Sequence, residues 1–383
     1  MKIIHIVSNI NNESAGPSYT VPALAEGCMG AGAEVEIFTL KPFDRPNPPV
    51  HVKAFKSSRF PHSQMGRSPE MRNALIEASR SCNIFHSQGI WMYPNIYAVL
   101  TRRDNQCKSV ISPRGMLSER ALGFSRWKKK ISWFLGQGKA LKLADMMHAT
   151  SVSEYNDIRR MGLRQPVVLL PNGIEVCHLP EFTARSKNRR RKLLFLSRIH
   201  PQKNIEDLIF AWNNVMHKFQ EWDLIIAGPV ENNPYAEKMM RLAASVGVDR
   251  VSFSGEVTGK EKTNLYRQSD LLVLPTLSEN FGMVVAEALA MEVPVICSKG
   301  APWEGLEKKS AGWWIDIGEK PLTDCLEQAL RCSPEELQAK GRNGRKWMEE
   351  DFSWNKIGGD MLQAYQWILE PKRCSCPEYV IRD

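Results

Sequence analysis

The strongest constraint in this chain is a repeated alternation of short, wholly apolar runs with longer stretches of helical spacing. In the first half the runs are IIHIVS (3–8), VEIFTL (35–40), IFHS (84–87), SVIS (109–112), MMHAT (146–150) and VVLLP (167–171). In the second half they are LLFLS (193–197), LIIAG (224–228), VSFSG (251–255), LLVLP (271–275) and PVICS (294–298). Most show no in/out alternation, the pattern of strands covered on both faces of a parallel sheet. Parallel neighbours need crossover helices, so the alternation predicts open, doubly wound α/β sheets. The series occurs twice, and 383 residues are enough for two domains. We therefore expect two Rossmann-like domains, residues 1–180 and 193–350, joined by the polar, basic linker 181–192, with their parallel sheets facing across a cleft. Residues 351–383 add a helix from about Ser353, where Trp354, Ile357, Met361, Leu362 and Tyr365 fall at helical spacing. Residues 41–70, with six prolines, read as an irregular loop between strands.

Composition removes several classes. A hydrophobic share of 43% and a charged share of 24% are those of a folded globular protein. No apolar run approaches the ~18 residues needed to cross a bilayer. The opening MKIIHIVSN is too short in its apolar stretch for a signal peptide. Nine scattered cysteines without a CxxC pair read as reduced thiols of a cytosolic protein. No metal site is expected, because no His, Asp or Glu cluster has ligand spacing. Charge is unevenly divided. Residues 1–170 hold 23 Lys/Arg against 12 Asp/Glu, while the remainder is nearly neutral, so the first half is suited to an anionic partner.

Ligands of open α/β sheets bind beyond the carboxyl ends of the strands. Three such ends in the second half carry informative residues. In FLSRIHPQKN (195–204), Arg198 and Lys203 lie between a strand and a helix start near Asn204, a place where fixed charge and helix dipole both favour a diphosphate. Two solvated surface cations are the alternative. In LPTLSENFGMVVAEALAMEVPVICS (274–298), a strand, a polar loop and a helix starting near Phe281 set Glu279 and Glu287 on either side of Asn280, Phe281 and Gly282. Unpaired backbone N–H groups there suit phosphate, with the carboxylates left for sugar hydroxyls. Gly228 in IIAGPV and Gly255 in FSGEV follow strands where a base or ribose would meet backbone, and ordinary turn glycines explain them equally well.

SENFGMVVAE with its Glu-x7-Glu spacing, SRIHPQKN, PNGIE (171–175), APWEGL (301–306) and the closing FSW resemble family 4 glycosyltransferases, retaining enzymes of GT-B fold. HSQGIW (86–91), SPRGML (112–117) and HATSVSE (148–154) resemble a bacterial subgroup that assembles surface polysaccharides such as O-antigen. The resemblance implies a hexosyltransferase that uses a nucleotide-sugar and needs no metal or other cofactor. Arg198 and Lys203 would hold the donor diphosphate, Glu279 the transferred sugar and Glu287 the ribose. The backbone from Phe281 to Met283 would meet sugar and phosphate, and Gly16 would lie near the phosphates. His86, Gln88 and Arg114 become acceptor-side candidates. Relatives commonly carry a second histidine where this chain has Gln88, and glutamine cannot titrate.

The basic excess concentrates in RALGFSRWKKKISWFLGQGKALK (120–142). Trp127, Lys128, Lys129, Lys130 and Trp133 suit the headgroup layer of an anionic membrane, which would hold a lipid-diphosphate-linked acceptor and keep the enzyme on the inner face of the cytoplasmic membrane. A solvated helix whose aromatics pack inward is the alternative, and nucleic acid ranks low. A nucleotide-sugar epimerase or hydrolase on the same fold is the rival enzyme reading. A non-catalytic binding protein is the third.

Overall fold

A computed structural model describes residues 1–11, 16–46, 48–58, 65–102, 106–176 and 189–382. The chain divides into two compact units. Unit 1 comprises Met1–Gly173 with Trp354–Asp383, and unit 2 comprises Ile174–Ser353. The expected linker 181–192 lies largely outside the described residues, as does most of the loop between Asn11 and Gly16.

Unit 1 holds β1 (Lys2–Val7), β2 (Glu34–Leu40), β3 (His51–Phe55), β4 (Ile84–Gln88), β5 (Lys108–Ser112), β6 (Met146–Ala149) and β7 (Val167–Leu169). Unit 2 holds β8 (Arg191–Leu196), β9 (Trp222–Ala227), β10 (Val251–Gly255), β11 (Leu271–Leu274), β12 (Val295–Ser298) and β13 (Gly312–Ile315). The terminal β14 (Val380–Ile381) returns to unit 1. The sheet orders are β14-β7-β6-β5-β4-β1-β2-β3 and β10-β9-β8-β11-β12-β13. Every pairing is parallel except β14 on β7. Each sheet reverses direction once, between β1 and β4 and between β8 and β11, and in such sheets the ligand crevice opens at that reversal.

Every apolar run became a strand. The proline-rich stretch 41–70, expected to be irregular, contains β3, which pairs only with β2. An edge strand needs one covered face, so HVKAF alternates and keeps only Phe55 fully buried. β13 was not anticipated as a strand, and neither was β14, which the CSCPEY tail precedes.

The last helix, Trp354–Leu369, buries Ile357, Met361, Leu362, Tyr365 and Trp367. It crosses the helix Gly16–Gly30 at Gly27 and Gly358. A Cβ on Gly358 would lie 2.2 Å from the Gly27 carbonyl carbon, and one on Gly27 would lie 2.3 Å from the Trp354 oxygen. Two glycines are what allow the backbones to approach this closely.

The cationic segment is two short helices, Glu119–Gly123 and Arg126–Ser132, followed over Trp133–Gln137 by a kink at Gly136, which has φ 126°. Trp133, expected at a membrane face, turns inward onto the core around Ile90 and Leu141 and lies against Gly138. Lys129 also turns inward. Its ammonium donates to the Ala121 carbonyl and lies 5.9 Å from the centre of the Trp91 ring. Trp127, Lys128 and Lys130 are exposed.

Candidate functional site

After β8 the chain makes a tight corner. His200 Nδ1 accepts from Gln202 N at 3.2 Å, and Pro201–Lys203 form one 3-10 turn. Asn204 stands at the N-cap of the helix Ile205–Val215, but in left-handed conformation (φ 56°). Its side chain does not cap that helix and donates instead to Asp207 Oδ2 at 2.6 Å. The corner is stapled to the loop after β11. Gln202 O accepts from Leu277 N (2.8 Å) and from the Thr276 hydroxyl (3.1 Å), while Gln202 Nε2 donates to Ser278 O (2.7 Å). These bonds bring Lys203 against Glu279, and the two side chains form a nearly buried ion pair. Burial and the nearby Arg198 charge pull the Lys203 ammonium down to about 8, against an opposing effect of Cys297. Arg198 itself is exposed, with no hydrogen bond or ion pair among the described residues.

The helix expected from Phe281 begins at Met283 and ends at Ala290, because Gly282 takes φ 84°, a left-handed conformation that a side chain would strain. Glu279 N donates to Gly300 O at 2.7 Å, and the Trp303 indole donates to Phe281 O at 2.6 Å. Phe281, Trp303, Trp347 and Phe352 stack behind this loop with ring centres 5.0–6.1 Å apart. The APWEGL and FSW segments thus have a physical task, since they clamp the loop that leads into the N-terminus of this helix.

Glu287 projects from this helix and is held at both oxygens. Lys262 Nζ lies 2.7 Å from Oε1, and the Tyr266 hydroxyl donates to Oε2 at 2.7 Å. Burial and the Glu287 charge keep the Tyr266 phenol well above its ordinary value, so it remains a donor. Lys262 and Tyr266 were missed in the sequence. Their i,i+4 spacing on the helix Gly259–Gln268 was the available signal. For Gly228 the structure supplies a steric reason, because a Cβ would lie 2.1 Å from Ser197 O.

In unit 1, His86, Gln88 and Arg114 belong to a buried polar network. His148 Nε2 lies 2.9 Å from Leu170 O, a group that only accepts, so Nε2 carries the proton. Each remaining bond then has one direction. Ser112 donates to His148 Nδ1 (2.7 Å), His86 Nε2 donates to Ser112 (2.7 Å), and Tyr365 donates to His86 Nδ1 (2.5 Å). Arg114 can only donate. Its Nε and a terminal nitrogen meet Gln88 Oε1 at 3.0 and 2.6 Å, and its other terminal nitrogen reaches Thr20 (3.1 Å) and Asn172 (3.0 Å). Gln88 Nε2 therefore faces His5 Nδ1, at 2.9 Å. Burial lowers Arg114 to about 10. Burial, reinforced by the Arg114 charge, lowers His5 and His148 to about 3, and His86 also falls far below its usual range. The expectation that Gln88 and His86 face an acceptor is thereby corrected. Both are fully covered, and both ends of the Gln88 amide are already bonded.

Gly16 is exposed and opens the helix that follows β1.

Both units match glycosyltransferase families. Residues 15–173 match the Glycosyl transferase 4-like domain, and residues 181–347 match Glycosyl transferases group 1. The fold is similar to that of an Anabaena protein, HepE, crystallised with UDP and glucose, at TM-score 0.72 and 17% identity over 96% of this chain and 99% of that one. The chain is a glycosyltransferase-family protein of GT-B fold. Among curated relatives it is 29% identical over 182 residues to an uncharacterised glycosyltransferase of Methanocaldococcus jannaschii, covering 47% of this chain and 46% of that one. It is 25% identical over 314 residues to the alpha-monoglucosyldiacylglycerol synthase of Streptococcus pneumoniae, covering 75% and 67%. The chain thus spans about half the length of the first of these relatives.

Proposed function

We propose that this chain transfers a hexose from a nucleotide-sugar to a lipid-linked glycan, with retention and an α-linkage, in bacterial surface-polysaccharide assembly of the O-antigen type. One observation carries the reading. Lys203, on the corner after β8 that also carries Arg198, pairs with Glu279, in the loop that ends at the left-handed Gly282 before the helix carrying Glu287. Arg198, Lys203 and the helix end take the diphosphate. Asn280, Phe281 and Met283 present backbone to sugar and phosphate, Glu279 takes a sugar hydroxyl, and Glu287 the ribose. The C1–phosphate oxygen bond breaks as the C1–acceptor oxygen bond forms on the same face, and the acceptor proton passes to the departing diphosphate. The two cations offset the charge that develops there, so the reaction needs no metal. A UDP donor agrees with the UDP-bound Anabaena relative, and a lipid acceptor with the synthase named for a glucosyldiacylglycerol.

The test is release of free nucleotide from UDP-, GDP- and dTDP-sugars with EDTA present, with and without a lipid-diphosphate sugar. Acceptor-dependent release that disappears in Glu287→Ala is the expected result. Release or isomerisation without acceptor would establish the rival hydrolase or epimerase.

Tyr266→Phe removes one hydrogen bond to an ionised carboxylate, worth ~1.5–3 kcal/mol, or roughly tenfold and more in affinity. We expect KM for the donor to rise about tenfold with kcat within about twofold, a loss of binding shared by ground and transition states. With a donor lacking the ribose hydroxyls the effect should vanish. An equal effect on both donors would assign Tyr266 to the core alone.

A further inference from the structure

We propose that the outer face of residues 124–135 is a docking surface for an anionic lipid bilayer. The inference goes beyond sugar transfer and does not depend on it. Three observations carry it.

The first is which way the side chains point. Phe124, Trp127 and Phe134 are 61%, 64% and 86% exposed, and Ile131 and Leu135 are exposed beside them. At ~100° per residue, Trp127, Ile131 and Phe134 share one narrow stripe, while Lys129, Ser132 and Trp133 fall on the opposite side. The apolar stripe therefore faces out, the reverse of a helix whose hydrophobic residues serve its own core.

The second is that the stripe is held in place. Ser132 donates to Trp91 O (2.9 Å), Trp91 N donates to Gln137 Oε1 (2.7 Å), and Gly136 sits where a Cβ would be 3.2 Å from Ile96 and Leu100. The inner face is fixed to the domain by these contacts. The chain kinks at Gly136 (φ 126°), directly after the exposed Phe134 and Leu135, and turns back onto the domain at the buried Gln137 and Gly138.

The third is charge. Arg120, Arg126, Lys128, Lys130, Lys139 and Lys142 are exposed around the stripe, and residues 120–142 contain no acid. Glu119, just before the segment, is paired with Arg160 at 3.1 Å. Exposed aromatics within a collar of cations suit an interface of acyl chains beneath anionic headgroups. A second copy of this chain would have to bring the same cations against themselves, which like-charge repulsion opposes.

The experiment is co-sedimentation of the whole protein with phosphatidylcholine vesicles, with and without phosphatidylglycerol, at low and high salt. Trp127→Ser/Phe134→Ser tests the stripe, Lys128→Glu/Lys130→Glu tests the collar, and UDP binding by calorimetry shows that each variant is folded. We expect binding that requires phosphatidylglycerol, weakens with salt and falls about tenfold or more in either double variant, with UDP affinity unchanged. Absence of vesicle binding by the unaltered protein, or equal binding by the variants, would overturn the proposal. So would loss of a dimer in Trp127→Ser/Phe134→Ser by ultracentrifugation without any change toward vesicles, or tighter binding to an oligonucleotide than to the vesicles. Nucleotide release in solution does not report on this surface, so its failure would count against the transfer reading alone.

Discussion

Lys203→Met is expected to lower donor turnover by about 10²–10³-fold, the usual consequence of removing one preorganised donor from developing negative charge. Lys203 is nearly buried and paired with Glu279, and Arg198 stands close enough to act on its charge. The substitution also leaves the Glu279 carboxylate without its partner, so a melting curve must accompany the assay. Glu279→Gln with Lys203 intact separates lost charge from lost folding. The lowered ammonium adds a pH signature. Burial and Arg198 lower the ammonium to about 8, whereas the arriving diphosphate favours the charged form. Donor affinity should therefore fall as pH rises above 8. Calorimetry in buffers of differing ionisation enthalpy should show proton uptake on binding, and its absence would remove Lys203 from contact with phosphate.

Unit 1 is expected to unfold in mild acid. His5, His86 and His148 are completely buried and neutral in the fold, with His5 and His148 at about 3, against ~6.5 in an unfolded chain. The folded values are depressed, so the unfolded chain binds the extra protons. Stability is complete above pH ~6.5 and is lost as pH falls from there toward 3. His5 and His148 each contribute about 1.4 kcal/mol per pH unit within that window, and His86 acts in the same direction. His5 and His148 alone reach about 4 kcal/mol by pH 5, comparable to the ~5–15 kcal/mol that holds a domain. Near-ultraviolet circular dichroism from pH 8 to 4 should show the loss with a midpoint near pH 5. A signal unchanged at pH 4.5 would mean that the histidines are not buried as neutral groups.

The parallel sheets were legible because strands covered on both faces must be apolar at every position, which no helix or loop requires. β3 escaped detection because an edge strand alternates, and prolines surround it. The unit 2 site was legible where its residues are local in sequence, as in Arg198–Lys203 and Glu279–Glu287. Lys262 and Tyr266 were not, since nothing local says which face of their helix meets Glu287. Gln88 was misjudged for the same reason. Its partners His5 and Arg114 lie 83 and 26 residues away, so the sequence offered a free amide where the fold has a fully bonded one. Trp133 and Trp127 look alike as letters, and nothing local says which side of their helix meets the domain.

The chain leaves unit 1 after Gly173 and rejoins it at Trp354, and the ends of unit 2 meet, with Ile174 N donating to Phe352 O at 2.7 Å. Unit 2 is therefore a guest sequence inside its host, and the order of completion during synthesis is inverted. Once residue 353 has left the ribosome, the guest has all its strands. The host, begun first, still lacks Met361, Tyr365 and Trp367 for its core and β14 for its sheet edge. Until the last thirty or so residues emerge, His86 has no Tyr365 to meet and Gly27 has no Gly358. The nascent first domain must wait, incomplete, through the making of the second.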